Sequence, residues 1–333
     1  MLPRTYEGNM TETIRWGILG AANFALNHMA PAIHASRGAS LAGLATSSAD
    51  KAAGFLAFAP DLQVFDSYDA LLASDAIDAV YIPLPNHLHV EWTKKALAAG
   101  KHVLTEKPIA MNEAEFDDLV AARDGAGRLA AEAYMIVHHP QWHKARDLLA
   151  EGAIGRLIHV DGMFCYNNGA ATQNIRNRPE TGGGGLRDIG VYTFGSARFV
   201  TGAEPDTVTA KLRLENGVDT FAHVSADFPG FTYNCVTSMR MFPNQRMTFH
   251  GDAGVMTLTT PFNSGVFGQA EVQVEGAGMA VTTYRFPEVN QYVLQVEAFS
   301  KAARDGTPYA CPLEFSRGTQ RMIDMTFEAG QEI

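Results

Sequence analysis

The chain has 333 residues, 46% of them hydrophobic, which is more core than most single domains hold, so two domains are expected. A formal charge of -10, a pI near 5.5 and no run of lysine or arginine argue against nucleic acid or an anionic membrane as partner. Cys165, Cys235 and Cys311 are odd in number, far apart and without a CxxC, which argues against a disulfide framework or a thiolate zinc site and fits a reducing cytoplasm.

Residues 1–12 carry Arg4, Glu7 and Glu12 and no apolar core of signal-peptide length, so they read as a disordered leader; no later segment has the length of a membrane span. A first strand over 14–19 runs into the turn Gly20-Ala21-Ala22-Asn23-Phe24-Ala25 and a helix reaching about 36. In a dinucleotide fold, the first glycine permits the tight turn, small residues let the backbone approach the pyrophosphate, and helix N-terminal amides bind its charge. Here the pattern is G-x-A-x-x-A, with only the first glycine of the usual three, so an ordinary strand-to-helix turn is the other reading.

A second strand over 41–46 ends where an NAD-binding fold would place an acidic residue for the ribose hydroxyls. Thr46, Ser47 and Ser48 stand there instead, with Lys51 nearby, and these residues accept a 2'-phosphate without repulsion. The pattern leans toward NADP, with NAD possible; the alternative is that Ser47, Ser48 and Asp50 only cap the next helix.

A weak strand near Val64, a helix over 68–72 and a strand over 78–82 follow, closed by Pro83-Leu84-Pro85-Asn86. A proline-rich turn at a strand's carboxyl end crosses the edge where ligands bind, so Leu84, Pro85, Asn86 and His89 are candidate cofactor contacts. Capping of the helix over 89–98 would account for Asn86 equally well. Next, Val103-Leu104-Thr105-Glu106-Lys107-Pro108 reads as a short buried strand stopped by proline, with its lysine at the ligand edge. Alternation predicts that only one of Glu106 and Lys107 enters the cleft, and Lys107 is the choice; both are candidate cofactor contacts at this edge. A helix over 112–124 and a sixth strand over 129–134 complete an alternation that argues for a parallel, doubly wound α/β sheet spanning residues 13–134.

The second half, 135–333, changes character. Strand-like runs over 158–166, 208–214, 220–227, 234–241 and 247–250 follow one another, with hairpin signals at Glu215-Asn216-Gly217, Phe228-Pro229-Gly230 and Gly251-Asp252-Ala253-Gly254. These predict an α+β domain with a mainly antiparallel sheet, interrupted by a helix after Gly182-Gly183-Gly184-Gly185 and closed by helices near 291–304 and 314–328. In the first of these helices Asp188 and Tyr192 are four apart, so a carboxylate and a phenol share one face; a lysine nearby could lower the phenol's pKa for proton transfer. The alternatives are a helix cap for Asp188 and a half-buried core position for Tyr192. His138, His139 and His143 lack the carboxylates or cysteines that would complete a metal site, so no metal is expected; His138 and His139 are read as lining a polar cleft.

Gly17-Ile18-Leu19-Gly20-Ala21-Ala22-Asn23, the stretch 81–89, Glu106-Lys107-Pro108-Ile109-Ala110 and the stretch 183–192 together resemble the Gfo/Idh/MocA oxidoreductases, in particular the glucose-fructose oxidoreductase, xylose dehydrogenase and dihydrodiol dehydrogenase branch. The resemblance implies an N-terminal Rossmann domain and an open-faced C-terminal sheet used for dimerisation. It matches Lys107 to the family's E-K-P lysine, Asp188 and Tyr192 to its catalytic pair, and Gly20 to Phe24 to the pyrophosphate turn. Two departures bear on the pocket: Val137 stands where many relatives carry arginine, and Arg187 stands where they often carry an apolar residue. Tyr134, His138 and Arg187 are the candidate substrate contacts.

The expected activity is hydride transfer between NADP and a hydroxyl or carbonyl of a sugar or polyol, as in an aldose 1-dehydrogenase. Lys107 would stabilise the oxyanion, Tyr192 would handle the proton and Asp188 would orient them. The alternative enzyme is a reductase of anhydrosugars, diketones or dihydrodiols. A non-catalytic dinucleotide sensor is a third reading, against which the Lys107, Asp188 and Tyr192 set speaks. A dimer or dimer of dimers through the uncovered face of the C-terminal sheet is expected, because that face would expose a large apolar patch.

Overall fold

A computed structural model describes residues 13–333; the leader expected over 1–12 lies outside the described residues. The first strand, β1 (Ile14–Leu19), is apolar on both faces because helices cover both, as in a parallel sheet. Trp16 is fully buried and its indole N–H donates to Ser300 Oγ at 3.1 Å. Beside β1 lie β2 (Ala39–Ala45) and β3 (Gln63–Phe65) on one side, and β4 (Ala79–Ile82), β5 (His102–Thr105) and β6 (Ala130–Glu132) on the other. The order β3-β2-β1-β4-β5-β6 is parallel throughout and reverses between β1 and β4. Ligands bind at that reversal, outside the carboxyl ends of the strands.

Helices α1 (Ala30–Ala35), α2 (Ala49–Leu56), α3 (Tyr68–Leu72), α4 (His89–Ala98) and α5 (Glu115–Ala126) connect these strands. A π-turn over Ala25–Met29 precedes α1. At Gly17 a Cβ would lie 2.7 Å from Leu71 Cδ2, so only glycine lets α3 pack this closely on β1.

The second sheet has nine strands in the order β14-β13-β12-β11-β7-β10-β9-β8-β15. Its centre is β7 (Leu157–Asn167), flanked by β10 (Phe231–Ser238) and β11 (Arg240–Gly251). The β8 (Thr207–Glu215), β9 (Val218–Phe228) and β10 run forms the expected hairpins, whereas β7–β10 and β8–β15 (Gly330–Glu332) pair in parallel. The chain passes from one side of β7 to the other between Ser238 and Arg240, without a glycine or proline to mark the crossing. The strand expected over 234–241 therefore spans the end of β10 and the start of β11. The strands β12 (Val255–Leu258), β13 (Ala270–Glu275), β14 (Val281–Phe286) and β15 lie outside the expected runs.

Helices α6 (Pro140–Ala150), α7 (Val191–Thr201) and α9 (Leu313–Glu328) pack on one face of this sheet; α8 (Gln291–Asp305) packs instead on α1, β1 and β2. One apolar core thus runs through both sheets. Arg198 ties α7 to α9 by donating to Phe315 O and Thr319 Oγ1, with its charge met by Glu204. The other face is not the apolar patch expected. Strand alternation places Asp161, Lys211, Arg213, His223, Asp227 and Arg246 there, all exposed, around half-buried Met163, Phe221 and Val236.

Candidate active site

Between the ligand edge of the first sheet and the second sheet lies a cavity of about 650 Å³. One wall is Ala22, Asn23, Phe24, Pro83, Leu84, Asn86, Glu106 and Lys107; the opposite wall includes Phe164, Tyr166, Asn168, Arg176, Asp188, Tyr192 and Tyr292. The first wall comes from residues before 134 and the opposite wall from residues after 135.

On the first wall, Gly20 has φ +102°, and a Cβ there would lie 3.1 Å from Leu84 Cδ2 and 3.2 Å from the Tyr68 hydroxyl. Helical backbone begins at Asn23, so the first-turn amides face outward without intrahelical partners. This glycine-dependent turn and its free amides fit a dinucleotide pyrophosphate. Ser47 and Lys51 are exposed one strand away; Ser48 caps α2, its Oγ accepting the Lys51 N–H at 3.3 Å. Capping leaves the serine hydroxyl proton available, so the two readings of Ser48 are compatible.

Several expectations are corrected here. His89 is fully buried, with its ring nitrogens 2.7 Å from Pro108 O and Leu84 O; it ties two loops together and does not face the cavity. Asn86 does not cap α4: its side-chain N–H donates to Gly182 O at 2.8 Å and joins the two walls. Pro85 lies outside the lining, while Leu84 and Asn86 belong to it. Glu106 and Lys107 both line the cavity, because β5 ends at Thr105 and strand alternation no longer applies beyond it. Glu106 accepts the Tyr81 hydroxyl at 2.6 Å, and burial pushes its pKa up.

Lys107 reaches across to Asp188. Its ammonium lies 3.0 Å from Asp188 Oδ1, donates also to the Asp188 carbonyl, and sits 4.9 Å from the centre of the Tyr192 ring. Asp188 lies in a π-turn, Leu186–Gly190, leading into α7. Its Oδ1 also faces Arg176 Nε at 2.9 Å, and its Oδ2 accepts the Tyr166 hydroxyl at 2.6 Å. Burial opposes ionisation of Asp188, but Arg176 and Lys107 outweigh it and hold the carboxyl well below its ordinary range. Its side chain is therefore engaged across the cleft and serves as no helix cap.

Tyr192 differs from expectation in its proton affinity. Burial, then neighbouring Tyr292, Glu106 and Asp188, push its pKa well above 10, and its hydroxyl donates to Met135 Sδ at 3.5 Å. Lys107 stands over the ring rather than at the hydroxyl. The phenol is thus held protonated.

None of the three expected substrate contacts lines the cavity. Tyr134 stacks behind Tyr192 at 5.6 Å, and its hydroxyl donates to the carbonyls of Val191 and Tyr192. His138 pairs with the Tyr309 hydroxyl at 2.9 Å, and His139 is buried with Nδ1 accepting the Gln141 N–H. Arg187 turns the other way, over Phe327 and near Asp219 and Asp324, because successive residues in a helical turn point in different directions. Val137 is fully buried. The residues missed are Tyr166, Asn168, Arg176 and Tyr292. Tyr166 had a readable signal, lying near the carboxyl end of a predicted strand; Arg176 lies in an irregular connector with none.

Among the described residues, no three His, Cys, Asp or Glu side chains cluster as metal ligands, and no helix is long and apolar enough to cross a membrane. The three cysteines are free and buried.

Residues 14–134 match the oxidoreductase family with an NAD-binding Rossmann fold, GFO/IDH/MocA, and residues 142–257 match the GFO/IDH/MocA C-terminal domain. The chain belongs to the GFO/IDH/MocA oxidoreductase family. It is 36% identical over 320 residues to an uncharacterized oxidoreductase of Rhizobium meliloti, covering 94% of this chain and 96% of the relative. It is 32% identical over 322 residues to D-xylose 1-dehydrogenase (NADP(+)) 2 of Haloferax volcanii, covering 95% and 97%. Among solved structures, KijD10, a 3-ketoreductase from Actinomadura kijaniata in complex with NADP and TDP-benzene, superposes with a TM-score of 0.89 at 28% identity, covering 96% of this chain and 99% of that one. As a member of this family the protein is an NAD(P)-dependent oxidoreductase acting on CH–OH groups or the corresponding carbonyls.

Proposed function

We propose that the protein is an NADP-dependent reductase of a keto sugar, with Lys107, Asp188 and Tyr192 as its catalytic set. The observation that carries the site is the Lys107 ammonium, 3.0 Å from Asp188 Oδ1 and 4.9 Å from the centre of the buried Tyr192 ring. A phenol set beside that ammonium is placed to give its proton to a carbonyl oxygen as it becomes an alkoxide. Lys107 places positive charge where that oxyanion develops, and Asp188 holds the lysine in position. When bound, the reduced nicotinamide supplies the hydride. Gly20 to Phe24 would hold the pyrophosphate, Ser47, Ser48 and Lys51 the 2'-phosphate, and Leu84, Asn86 and Glu106 the nicotinamide end. The NADP-bound ketoreductase of the same fold supports this reading over the aldose dehydrogenase. The test is loss of NADPH absorbance with free and nucleotide-linked keto sugars, against gain of absorbance with NADP and a panel of aldoses. Faster turnover of aldoses would reverse the assignment, and no turnover of either panel would favour a sensor.

We propose a domain division at residues 134 and 135; the separation of the two sheets supports it, although α8 packs back on the first. We propose a dimer through the uncovered sheet face, built on Phe221, Val236 and Met163 within a charged surround. Light scattering at micromolar concentration should give twice the chain mass, and Val236→Asp should shift it toward one; a wild-type monomer would refute this.

A further inference from the structure

We propose that Arg176 and Asn168 form an oxyanion-binding wall, so that the substrate carries a carboxylate or phosphate group at the end facing residues 168–176. Arg176 sits in a 3-10 turn, Ile175–Asn177, whose backbone is fixed from both sides. Its N–H donates to Asn174 Oδ1 at 3.0 Å, and its carbonyl accepts the Gly184 N–H at 3.0 Å. At Gly183 a Cβ would lie 2.5 Å from that carbonyl, so the glycine run is what lets the turn approach. The side chain is thereby presented to the cavity before any ligand arrives.

The guanidinium is only partly satisfied. Its Nε faces Asp188 Oδ1 at 2.9 Å, and among the described residues no other acceptor engages it. The Arg176 side chain remains 40% exposed, whereas Asp188 is 12% exposed. Asp188 already meets Lys107 on Oδ1 and Tyr166 on Oδ2, so one carboxylate faces two cations. The other lining carboxylate, Glu106, is engaged by the Tyr81 hydroxyl and the Lys107 N–H. Asn168 adds a second donor: its Oδ1 is taken by Arg240 at 2.9 Å, and its buried Nδ2 has no acceptor. The free guanidinium N–H groups of Arg176 and the Asn168 amide are donors only. They suit a carboxylate or phosphate, which accepts at every oxygen and brings the charge to meet the guanidinium, better than a neutral sugar hydroxyl.

This rests on the same cavity being the reductase site, and the test separates the two. Calorimetric titration of the NADP-saturated protein compares glucose with glucuronate, glucose 6-phosphate and dTDP-glucose. At least one anionic member should bind about tenfold or more tightly than glucose, the scale of one charge-assisted contact. Arg176→Met should reduce that preference to about twofold or less, Arg176→Lys should retain part of it, and Asn168→Ala should weaken it. Which arm binds distinguishes a sugar carboxylate from a phosphate. Equal binding of glucose, no measurable binding of any anionic member, or a preference that survives Arg176→Met would each overturn the inference. Selective anion binding without NADPH-dependent turnover of keto sugars would instead refute the reductase and leave the wall standing.

Discussion

The two walls of the cavity differ in how they are built. The dinucleotide side comes from consecutive strand–helix units, each delivering its loop to the same sheet edge, so β1, β4 and β5 bring Gly20, Leu84 and Lys107 together by local folding and right-handed crossovers. The far side comes from β7, an irregular connector, a π-turn and the start of α8, which meet only when the second sheet and α8 close on the first. A general cofactor can be served by a repeated local device, whereas a particular substrate is served by a non-local assembly.

The largest effect should come from breaking the link between the walls, Lys107 with Asp188 and Tyr192, that the proposed reduction would use directly. Lys107→Met keeps the aliphatic stem and deletes the charge, and Tyr192→Phe deletes the proton; each should lower kcat about a hundredfold or more with cofactor binding retained. Because ammonium and ring lie 4.9 Å apart, the double variant should lose much less than the product of the single losses. Steady-state kinetics with fluorescence titration of NADPH checks both statements. Multiplicative losses would mean that the two residues serve separate steps.

Asp219 should make the far wall the pH-sensitive one. It is buried in β9, its Oδ2 accepts the Leu186 N–H at 2.7 Å, and any Cβ on Gly184, at φ +119°, would meet its other oxygen, so it anchors the glycine run that precedes Asp188. Burial pushes its pKa from 3.8 up to about 7, with the amide and Arg187 opposing. A carboxyl raised in the folded state contributes stability that is complete below its unfolded pKa, near 4, and is lost as pH rises to about 7. Asp219→Asn keeps the acceptor and removes the titration. Between pH 4 and 8 the wild type should lose on the order of 4 kcal/mol more than the variant in denaturant unfolding. Parallel pH curves would place the pH sensitivity elsewhere.

What the sequence disclosed follows this same divide. The boundaries 14–19 and 68–72 match the structure because buried parallel strands and their helices have strong local signatures. Lys107, Asp188 and Tyr192 were legible as residue types at a strand end and on a helix. Their surroundings were not. Arg187 precedes Asp188 yet faces Phe327, and Arg176, with no periodic segment around it, is the arginine that joins Lys107 at the carboxylate. The raised pKa of Tyr192 depends on burial beneath Tyr134, Phe164 and Phe262, which no spacing rule conveys.

Tyr166 tests whether the far wall tunes chemistry or only shapes the pocket. Tyr166→Phe removes the 2.6 Å hydrogen bond to Asp188 Oδ2 but leaves Lys107 and Arg176 in place. Losing one hydrogen bond to a charged group predicts roughly a tenfold fall in kcat/KM. An unchanged kcat/KM would reduce Tyr166 to a packing residue.

The smallest effect should appear on the cofactor wall, at the exposed end of β2. We expect a lower KM for NADP than for NAD, since Ser47, Ser48 and Lys51 offer hydroxyls and a cation and no carboxylate. Ser48→Asp isolates the charge, because aspartate replaces serine as an N-cap for α2 at little cost to the helix. A carboxylate there repels a 2'-phosphate and accepts ribose hydroxyls, but solvent screens it, so the ratio of kcat/KM for NADP over NAD should fall only about fivefold, the scale of roughly 1 kcal/mol between exposed charges. The fall should shrink at high ionic strength, which a loss of helix capping would not. A wild type that uses NAD as well as NADP would show instead that Ser48 only caps the helix and that this edge does not select the cofactor.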